Sequence, residues 1–523
     1  MGRLTGHMLP QDGVPGVPAA DSDRPLELAL VLHPVNLADA EQTVLSQDGP
    51  LDRAEFLTRH GVPPELATQM TEWLSGSGLT VRPDGLVFWL AGTMAAVAKT
   101  FDLAFRVEVK DTTTYYQPTR EPQVPDWMEP WVAGIAGLDN VARLIPSVRF
   151  PRDTEQLANQ GQGFFPADIK RAYAFPSTYD GSGMTIGLLE FSNGYSTYDV
   201  MAFWSAYHLP TPTLSFVSVD GTANDGGANA WDLEATLDVE WAGAMAPGAH
   251  LVVYEASAGG TDVSFGLSVL KALHTAIHDT VHRPTVLSIS YGDGESRFPP
   301  RVMEAWNSVM AHGAIIGITT FVASGDQGAY GLHGAGRLIA HADAPANCPH
   351  AVAVGGTRLL LNPNGSIARE TGWTDTNNNG ASGGGISQVF PVPAFQIGIA
   401  LPVKPGFHAG RGVPDVAANA DPDTGYAVVF QGSAAVVGGT SVASPIWAAA
   451  GACLNQARAA AQKGPIGLFN PRLYALGATP VFHDIVIGNN SYAGVAGYSC
   501  GPGWDAVTGW GSPDLTRLIA DLE

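Results

Sequence analysis

The amino-acid sequence predicts two folded units: a small α+β domain at the front and a larger α/β domain with a parallel sheet behind it. Three observations support this prediction. The 523 residues are more than one ordinary hydrophobic core accommodates. Short strand and helix patterns alternate between residues 25 and 146. After residue 163, almost continuously apolar strands are separated by helical segments, which is typical of a parallel sheet covered on both faces.

The front of the chain is predicted to be a flexible arm followed by a domain. Residues 1–24 are rich in Gly, Pro and Asp and form the arm. The domain, residues 25–146, starts with a strand in PLELALVLHPV and continues with helices in LDRAEFLTRHG and PPELATQMTEWLSGSG. LTVRPDGLVFWLAG is predicted to be a hairpin around Asp84–Gly85, and TMAAVAKTFDL a helix capped by Thr93.

The second domain, residues 164–523, follows a segment without periodicity. Residues 147–163 are therefore predicted to be an exposed linker. The strands of the domain are expected in MTIGLLEF, HLVVYEA, PTVLSISYG, AIIGITTFVASG and HAVAVGGT, with helices in ATLDVEWAGAM and LSVLKALHTAIHD between them. In such a sheet, ligands bind at the carboxyl ends of the strands.

Composition excludes some classes of partner. Lys and Arg total 27 against 49 Asp and Glu, which gives a net charge of −22 and argues against nucleic acid and anionic membranes. The most apolar run, LVFWLAGTMAAVA, is too short to span a bilayer, and no signal peptide is evident at the N-terminus. The three cysteines are too few for a disulfide scaffold and are expected to be buried.

One serine is a candidate nucleophile. Ser441, in GGTSVASPIW, precedes a long apolar helical pattern, with Pro445 expected in the first turn. Backbone N–H groups at a helix start favour a developing negative charge. The alternative is that Ser441 is an ordinary helix cap, and this short motif does not exclude it.

Four carboxylic acids are further candidates for the site: two lie at the ends of predicted strands, and two lie on a predicted helix. Glu190 ends one predicted strand, and Asp326 follows another in VASGD. Glu234 and Asp238 are four residues apart, so they share one face of a helix and should hold one proton between them. The alternatives are a chance pair of like charges for Glu234 and Asp238 and a turn residue for Asp326.

These segments together resemble the sedolisins, or serine-carboxyl peptidases, of the kumamolisin type. The motifs E-x-x-x-D (234–238), ASGDQG (323–328) and GGTSVASP (438–445) occur in the order of that family. The resemblance implies a subtilisin-like parallel sheet preceded by a ferredoxin-like propeptide. It also implies Ser441 as nucleophile, Glu234 as general base, Asp238 as the residue that orients Glu234, and Asp326 as the oxyanion-hole acid.

The resemblance has consequences for pH and for substrate binding. Asp326 can stabilise an oxyanion only while protonated, so activity is expected in acid. Tyr291 stands where kumamolisin-like enzymes have Trp, so the hydrogen-bond chain through Glu190 is expected to be weaker or different. The segments SISYGDG and SGGGISQVFPVPAFQ resemble the walls of a peptide cleft, with these predicted substrate contacts: Ser290, Gly292 and Gly384.

A calcium site is implied near the C-terminus. FHDIVIGNN and SCGPGWDAVTGWGSPD (about residues 482–514) resemble the family's calcium loop. One structural Ca²⁺ would be bound by the carboxylates of Asp484 and Asp505 and by the backbone carbonyls of Ile485, Gly501 and Gly503. The alternative is a pair of aspartates that stabilise turns.

The sequence therefore predicts an acid-active serine-carboxyl endopeptidase made as a self-processing proenzyme. The alternatives are a tripeptidyl exopeptidase of the same family and an inactive homologue that binds peptides. The expected partners are peptide or unfolded protein substrates and the chain's own propeptide, which would act as an intramolecular inhibitor. Nucleic acid and membranes are not expected as partners, the chain is expected to be a monomer, and secretion is inferred from the resemblance alone.

Overall fold

The structure is a computed structural model that describes residues 1–8, 23–110, 113–142, 145–151, 158–191, 194–258, 264–330, 340–375 and 379–523. Most of the predicted arm, residues 9–22, lies outside the described residues. Residues 152–157 of the predicted linker lie outside them as well.

In its described residues, the N-terminal domain consists of short strands and four α-helices. The strands are β1 Gly2–Arg3, β2 Pro25–Leu32, β3 Thr80–Asp84, β4 Val87–Thr93, β5 Phe105–Lys110, β6 Thr113–Pro118, β7 Gln123–Val124, β8 Val132–Ala136 and, leading into the linker, β9 Ile145–Pro146. The helices are α1 Leu37–Ser46, α2 Arg53–His60, α3 Pro64–Ser75 and α4 Met94–Thr100.

The central sheet of this domain has the predicted ferredoxin-like topology. Its four antiparallel strands lie in the order β3, β4, β2, β8, with helices between β2 and β3 and after β4. The hairpin at Asp84–Gly85 is confirmed. The cap of α4 is confirmed too, because the Thr93 hydroxyl accepts a hydrogen bond from Ala96 N at 3.2 Å. Helix α1 was not predicted.

The prediction of a flexible arm is wrong for residues 1–8. Strand β1 pairs with β7, and Leu4 and His7 are buried in the domain. His7 Nε2 accepts a hydrogen bond from Ile135 N at 2.9 Å. The chain start is therefore held by backbone pairing and by two buried side chains, which the Gly- and Pro-rich composition did not indicate.

The C-terminal domain contains the larger sheet and several small ones. Its strands are β10 Thr185–Glu190, β11 Thr213–Ser218, β12 His250–Glu255, β13 Val286–Ile289, β14 Tyr291–Gly294, β15 Thr319–Ala323, β16 Asp343–Ala344, β17 Ala351–Leu361, β18 Ile367–Gly372, β19 Gly385–Ile386, β20 Gly412–Val413, β21 Val416–Asn419, β22 Tyr426–Phe430, β23 Ser433–Val437, β24 Phe482–His483 and β25 Ser512–Pro513. The linker contains the short helix α5 Ala158–Gly161. The helices of the domain are α6 Pro166–Ala172, α7 Thr197–Ala206, α8 Leu233–Met245, α9 Phe265–His278, α10 Pro300–Ile315, α11 Thr440–Ala460, α12 Asn470–Leu476 and α13 Leu515–Leu522.

The main sheet is parallel, as predicted. Its strand order is β11, β12, β10, β13, β15, β17, with β21 parallel to β17 and only β18 antiparallel. Residues of α8 and α11 pack into one apolar core and residues of α9 and α10 into another, so helices cover both faces. One strand boundary differs from the prediction. Ala314 and Ile315 end α10, the chain turns at Gly317 (φ +97°), and β15 begins only at Thr319.

The N-terminal sheet docks on α9 and α10. Ala29 and Ala133 of that sheet share an apolar cluster with Val302 and Ala305 of α10. The approach is close at Gly134, where an added Cβ would lie 1.9 Å from the Arg301 carbonyl oxygen. The N-terminal domain is thus packed closely against the C-terminal domain.

The described residues also show the character of the helices and the state of the cysteines. None of the helices in the described ranges is both long and apolar enough to cross a bilayer. Cys348 and Cys453 are buried, Cys500 is half-buried, and all three are free thiols.

Candidate active site

Two carboxylic acids lie one turn apart on a fully buried helix. Glu234 and Asp238 are on α8, which packs against α11 and β10. The Ser290 hydroxyl donates to Asp238 Oδ2 at 2.7 Å. Among the described residues, neither carboxyl oxygen of Glu234 has a hydrogen-bond partner. Glu234 can therefore accept a proton from a neighbouring hydroxyl.

Burial raises the pKa of both acids. Burial, followed by the negative charge of Asp238, raises the pKa of Glu234 well above its usual value, and the nearby Ser441 hydroxyl opposes this shift. Burial also raises the pKa of Asp238 to about 7, against hydrogen bonds from Ser290 and Glu190. Two carboxyls this close resist double ionisation, so a proton is shared within the group.

The acid pair continues into a third carboxyl at the end of β10. Tyr291 Oη donates to Glu190 Oε2 at 3.0 Å, and Glu190 lies close enough to Asp238 for each carboxyl to shift the pKa of the other. Burial first, and then the charges of Asp238, Glu255 and Glu234, raise the pKa of Glu190 well above its usual value. Tyr291 thus supplies a hydrogen-bond donor to Glu190 at the position where the resemblance implied Trp.

Ser441 is buried at the start of α11, one residue after its first position. Its hydroxyl donates to the Ser290 carbonyl oxygen at 3.2 Å. Pro445 lies beyond the first turn, contrary to expectation, and has no N–H to offer the Ser441 carbonyl. The Ser290 hydroxyl instead lies 3.2 Å from that carbonyl. Ser290 therefore touches both Asp238 and Ser441 and links the two helices.

Asp326 is anchored by one oxygen and turned towards the linker with the other. Its Oδ1 accepts hydrogen bonds from Thr440 N at 2.8 Å and Thr440 Oγ1 at 3.0 Å. Its Oδ2 makes no hydrogen bond with described residues and lies 3.8 Å from Arg149 Nε. Burial raises the pKa of Asp326 to about 6, although Arg149 and Thr440 lower it.

The chain passes through the site in extended form over residues 145–149, where the N-terminal domain leads into the linker. Strand β9 pairs antiparallel with β14, and Ser147 N donates to Ser290 O at 3.2 Å. Ser441 N donates to Ser147 O at 3.1 Å. Further along, Arg149 and Gly438 exchange two backbone hydrogen bonds of 2.8 and 2.7 Å. The linker is thus bound by its main chain on both sides of Ser441.

This binding corrects the prediction of an exposed linker over its first residues. Ser147 is only 5% exposed, because backbone pairing encloses it in the cleft. Phe150, which follows, is 56% exposed. Polar, aperiodic sequence indicates that a segment can be solvated, but main-chain hydrogen bonds can bury it without apolar side chains.

The three predicted substrate contacts divide into two groups. Ser290 and Gly292 lie along the bound linker: Gly292 pairs with Ile145 across the two strands, and Ser290 O accepts from Ser147 N. Gly384 lies apart from it. Its carbonyl accepts from Asn490 Nδ2 at 3.3 Å, and among the described residues no contact joins it to the linker.

Sequence reasoning missed several residues of the site. Ser147 and Arg149 were read only as linker, and Glu255 only as the end of a strand. Glu255 is directly beside Glu190 in the register of β12 and β10. Asp343 was also missed; burial and neighbouring charges, including that of Asp326, raise its pKa well above its usual value. The only available signal for Glu255 was an acid at the carboxyl end of a predicted strand.

The five predicted calcium ligands lie around one glycine-rich loop. Gly503 N donates to Asp484 Oδ2, and Gly501 N donates to Asp505 Oδ2, each at 3.0 Å. In the described part of the chain, the carbonyls of Ile485, Gly501 and Gly503 accept no hydrogen bond. Burial raises the pKa of Asp505 to about 6. Two carboxylates and unused carbonyls are a donor set that fits a hard cation such as Ca²⁺.

Comparisons of the sequence with known families match both domains. Residues 13–141 match the family model described as the activation domain of pro-kumamolisin, and residues 221–466 match the subtilase family. The chain is 37% identical over 486 residues to kumamolisin from Bacillus sp. (strain MN-32), covering 90% of this chain and 86% of that protein.

Relatives with lower identity also match most of the chain. Sedolisin from Pseudomonas sp. (strain 101) is 29% identical, with 90% of this chain and 81% of that protein covered. Tripeptidyl-peptidase 1 from Mus musculus is also 29% identical, with 96% and 92% covered. Among solved structures, Pseudomonas sedolisin, a serine-carboxyl proteinase in complex with two molecules of pseudo-iodotyrostatin, aligns with a TM-score of 0.61 and 29% identity over 69% of this chain and 98% of that one.

Proposed function

Because this chain belongs to the sedolisin family of serine peptidases and carries the family's propeptide, we propose that it is an acid-active endopeptidase that processes itself. The observation that carries the proposal is its own linker, bound as an extended strand past Ser441 and Asp326. A cleft that binds an internal stretch of chain on both sides of the nucleophile is what an endopeptidase requires.

We assign the base function to Glu234. Ser441 Oγ attacks the substrate carbonyl carbon, and its proton passes to Glu234, whose raised pKa makes it a stronger base than an ordinary carboxylate. Glu234 later gives this proton to the leaving amine. A water molecule then hydrolyses the acyl-enzyme by the same route, which leaves Ser441 and Glu234 as they began.

Asp238 and Glu190 keep Glu234 ready for this transfer. Asp238 is held by the Ser290 hydroxyl, and Glu190 is held by Tyr291 Oη. A proton shared along this buried group offsets the charge that would otherwise accumulate when Glu234 is ionised. Asp238 therefore acts on Glu234, whereas Glu190 and Tyr291 position Asp238.

Asp326 and the Ser441 N–H would stabilise the oxyanion. Ser441 N already donates to a carbonyl oxygen of the linker. Protonated Asp326 would add a second donor from its Oδ2, because its Oδ1 remains occupied by Thr440. The arrangement requires acid, since ionised Asp326 would repel the developing negative charge.

Incubation of the processed protein with a denatured protein at about pH 4, near the range in which carboxyls titrate, tests the function. Mass spectrometry should show internal fragments of varied length. Release of tripeptides alone from the N-terminus would favour the exopeptidase alternative. Absence of any cleavage, with peptide binding retained, would favour the inactive homologue. Secretion and a monomeric state remain predictions.

We also propose that Asp484, Asp505 and the carbonyls of Ile485, Gly501 and Gly503 bind one structural Ca²⁺. Bound calcium would neutralise the two carboxylates and fix the loop, and it takes no part in bond breaking. Among the described residues, the side-chain hydrogen bonds of Asp484 and Asp505 go to residues 501–508 and none goes to the acid group.

Removal of calcium is expected to destabilise the protein. A ligand present at 100 times its Kd contributes about 2.7 kcal/mol, so in a domain of this size chelation with EDTA should lower Tm by about 2–4 °C. Differential scanning calorimetry measures the change, and D505N should reproduce it without EDTA. D514N is the matched control, because Asp514 caps α13 and an Asn can cap it equally. An unchanged Tm after chelation would contradict the site.

Acid is expected to loosen the docked propeptide as well. Three catalytic-domain histidines face the N-terminal domain: His274 and His278 stack at 4.0 Å, and His312 lies 5.2 Å from His278. The charged groups that face them are Asp84 and Arg82 of the hairpin and Arg53 of α2, and the aromatic contacts are Trp89 on His274 and Phe56 on His312.

Burial, reinforced by neighbouring cations, lowers the pKa of all three histidines, that of His274 to about 4. When the N-terminal domain is undocked, these histidines have the ordinary pKa near about 6.5. Below that pH the undocked state takes up protons more readily than the docked state, so docking is fully stable above about pH 6.5 and weakens as pH falls towards about 4. The radius of gyration of the uncut S441A chain should therefore increase over this range. H274Q/H278Q/H312Q should remove the increase, whereas H408Q, which changes an exposed histidine, should not. An unchanged radius in S441A would contradict the expectation.

A further inference from the structure

One linker carbonyl, that of Ser147, occupies the point where the proposed oxyanion donors converge. It accepts a hydrogen bond from Ser441 N at 3.1 Å. A Cβ added to Gly439 would lie 2.0 Å from Ser147 O and 2.7 Å from Asp326 Oδ2, so these two oxygens flank the same small space. The carbonyl of Arg149 is instead bound by Gly438 N. Donors aimed at one carbonyl select the bond that it belongs to.

The proposed nucleophile lies next to the same residue of the linker. Ser441 Oγ and Ser147 N are each 3.2 Å from one acceptor, the Ser290 carbonyl oxygen. The register is fixed on both sides, by the pairing of Pro146 with Tyr291 and by the two hydrogen bonds between Arg149 and Gly438. A slip of the linker by one residue would break both sets of bonds.

We infer that the first bond cut in this proenzyme is Ser147–Val148 of its own linker, an inference that rests on the peptidase function proposed above. Ser441 Oγ bonds to the Ser147 carbonyl carbon and gives its proton to Glu234. The bond from that carbon to Val148 N breaks, and Val148 N takes the proton from Glu234. Water then releases Ser147 as a new C-terminal carboxylate. No other reactant is required.

The cut would leave the catalytic domain intact. The chain is anchored to that domain from Phe164, whose N–H donates to Gly425 O at 2.7 Å and whose carbonyl accepts from Ala427 N at 3.1 Å. Residues 148–163 would become an N-terminal extension of the catalytic domain. The N-terminal domain would then be held only by its docked surface.

The direct test identifies the first new termini. The full chain is purified near neutral pH and transferred to about pH 4, where carboxyls titrate, and intact masses and N-terminal sequences are recorded at the earliest times. The expected pair is residues 1–147 and 148–523. A first cut at any other bond overturns the inference.

Two proline variants distinguish an effect on the Ser147–Val148 bond itself from an effect of proline elsewhere in the linker. V148P places a ring carbon on the leaving nitrogen, and cleavage at this bond should fall by about 10²-fold or more. F150P is the matched control, because in the described residues neither Val148 N nor Phe150 N donates a hydrogen bond. F150P should still be cut first after Ser147. Equal rates and termini for V148P and the wild-type chain would overturn the inference.

The S441A chain distinguishes this inference from the proposed function. If S441A stays whole while the wild-type chain is first cut elsewhere, the proposed function stands and the assignment of the bond is wrong. If S441A cuts itself at the wild-type rate, the proposed function is wrong too. If S441A stays whole and the wild-type chain yields Val148 as its new N-terminus, both are supported.

Discussion

Replacing Glu234 with Gln is expected to slow self-processing by about 10⁴- to 10⁶-fold, the range seen when a serine peptidase loses its general base. Gln fills the same space but cannot take a proton from Ser441. The first-order rate of linker cleavage in the full chain at about pH 4, the range of carboxyl titration, measures the effect directly by intact mass.

The matched control is E240Q on the same helix. Glu240 is also fully buried, but both of its oxygens accept from Val429 N at 3.2 Å, on the side of β22. A Gln at this position can still accept, so E240Q should process itself within a few-fold of the wild-type rate. If E234Q were as active as E240Q, Glu234 would not be the base.

Substitutions of Asp326 are expected to change the pH profile as well as the rate. D326A removes one oxyanion donor and should lower the rate by about 10²- to 10³-fold. D326N should be less impaired, because its amide oxygen can accept from Thr440 while its NH₂ donates to the oxyanion. An amide does not ionise in this range, so the donor in D326N persists at every pH tested.

The direction of the pH effect follows from the raised pKa. Asp326 is protonated below about pH 6 and ionised above it, so wild-type processing should fail as pH rises through about 6. In D326N this loss should move to higher pH. R149Q should also move it upwards, because the Arg149 guanidinium lowers the pKa of Asp326; R149K, which keeps the charge, should not. An identical pH midpoint in D326N and the wild-type chain would contradict the assignment.

Much of the fold was predictable because apolar periodicity is a local property. Helices α8 and α9 and the cap at Thr93 were evident in short windows of sequence. Helix α1 was missed although Asn36, a residue type that often caps helices, precedes it; in the structure Asn36 is left-handed and its side chain makes no capping hydrogen bond. The run AIIGI fits both a helix end and a strand, so the start of β15 was misplaced.

The active site was predictable only in part, for a related reason. Glu234 and Asp238 are neighbours in any helix, so their spacing was informative. The contact of Glu190 with Asp238 and that of Ser147 with Ser441 join residues far apart in the chain. Such contacts depend on strand order and on the course of the linker, and a single sequence encodes neither in any short window.

The linker bound beside Ser441 also determines how latency depends on protein concentration. The blocking segment is covalently attached, so its local concentration in the cleft stays the same however far the sample is diluted. Every neighbouring molecule is blocked in the same manner, so the opening event must occur in cis. Once a few molecules have opened, they can attack others in trans, and conversion should then accelerate after an initial lag.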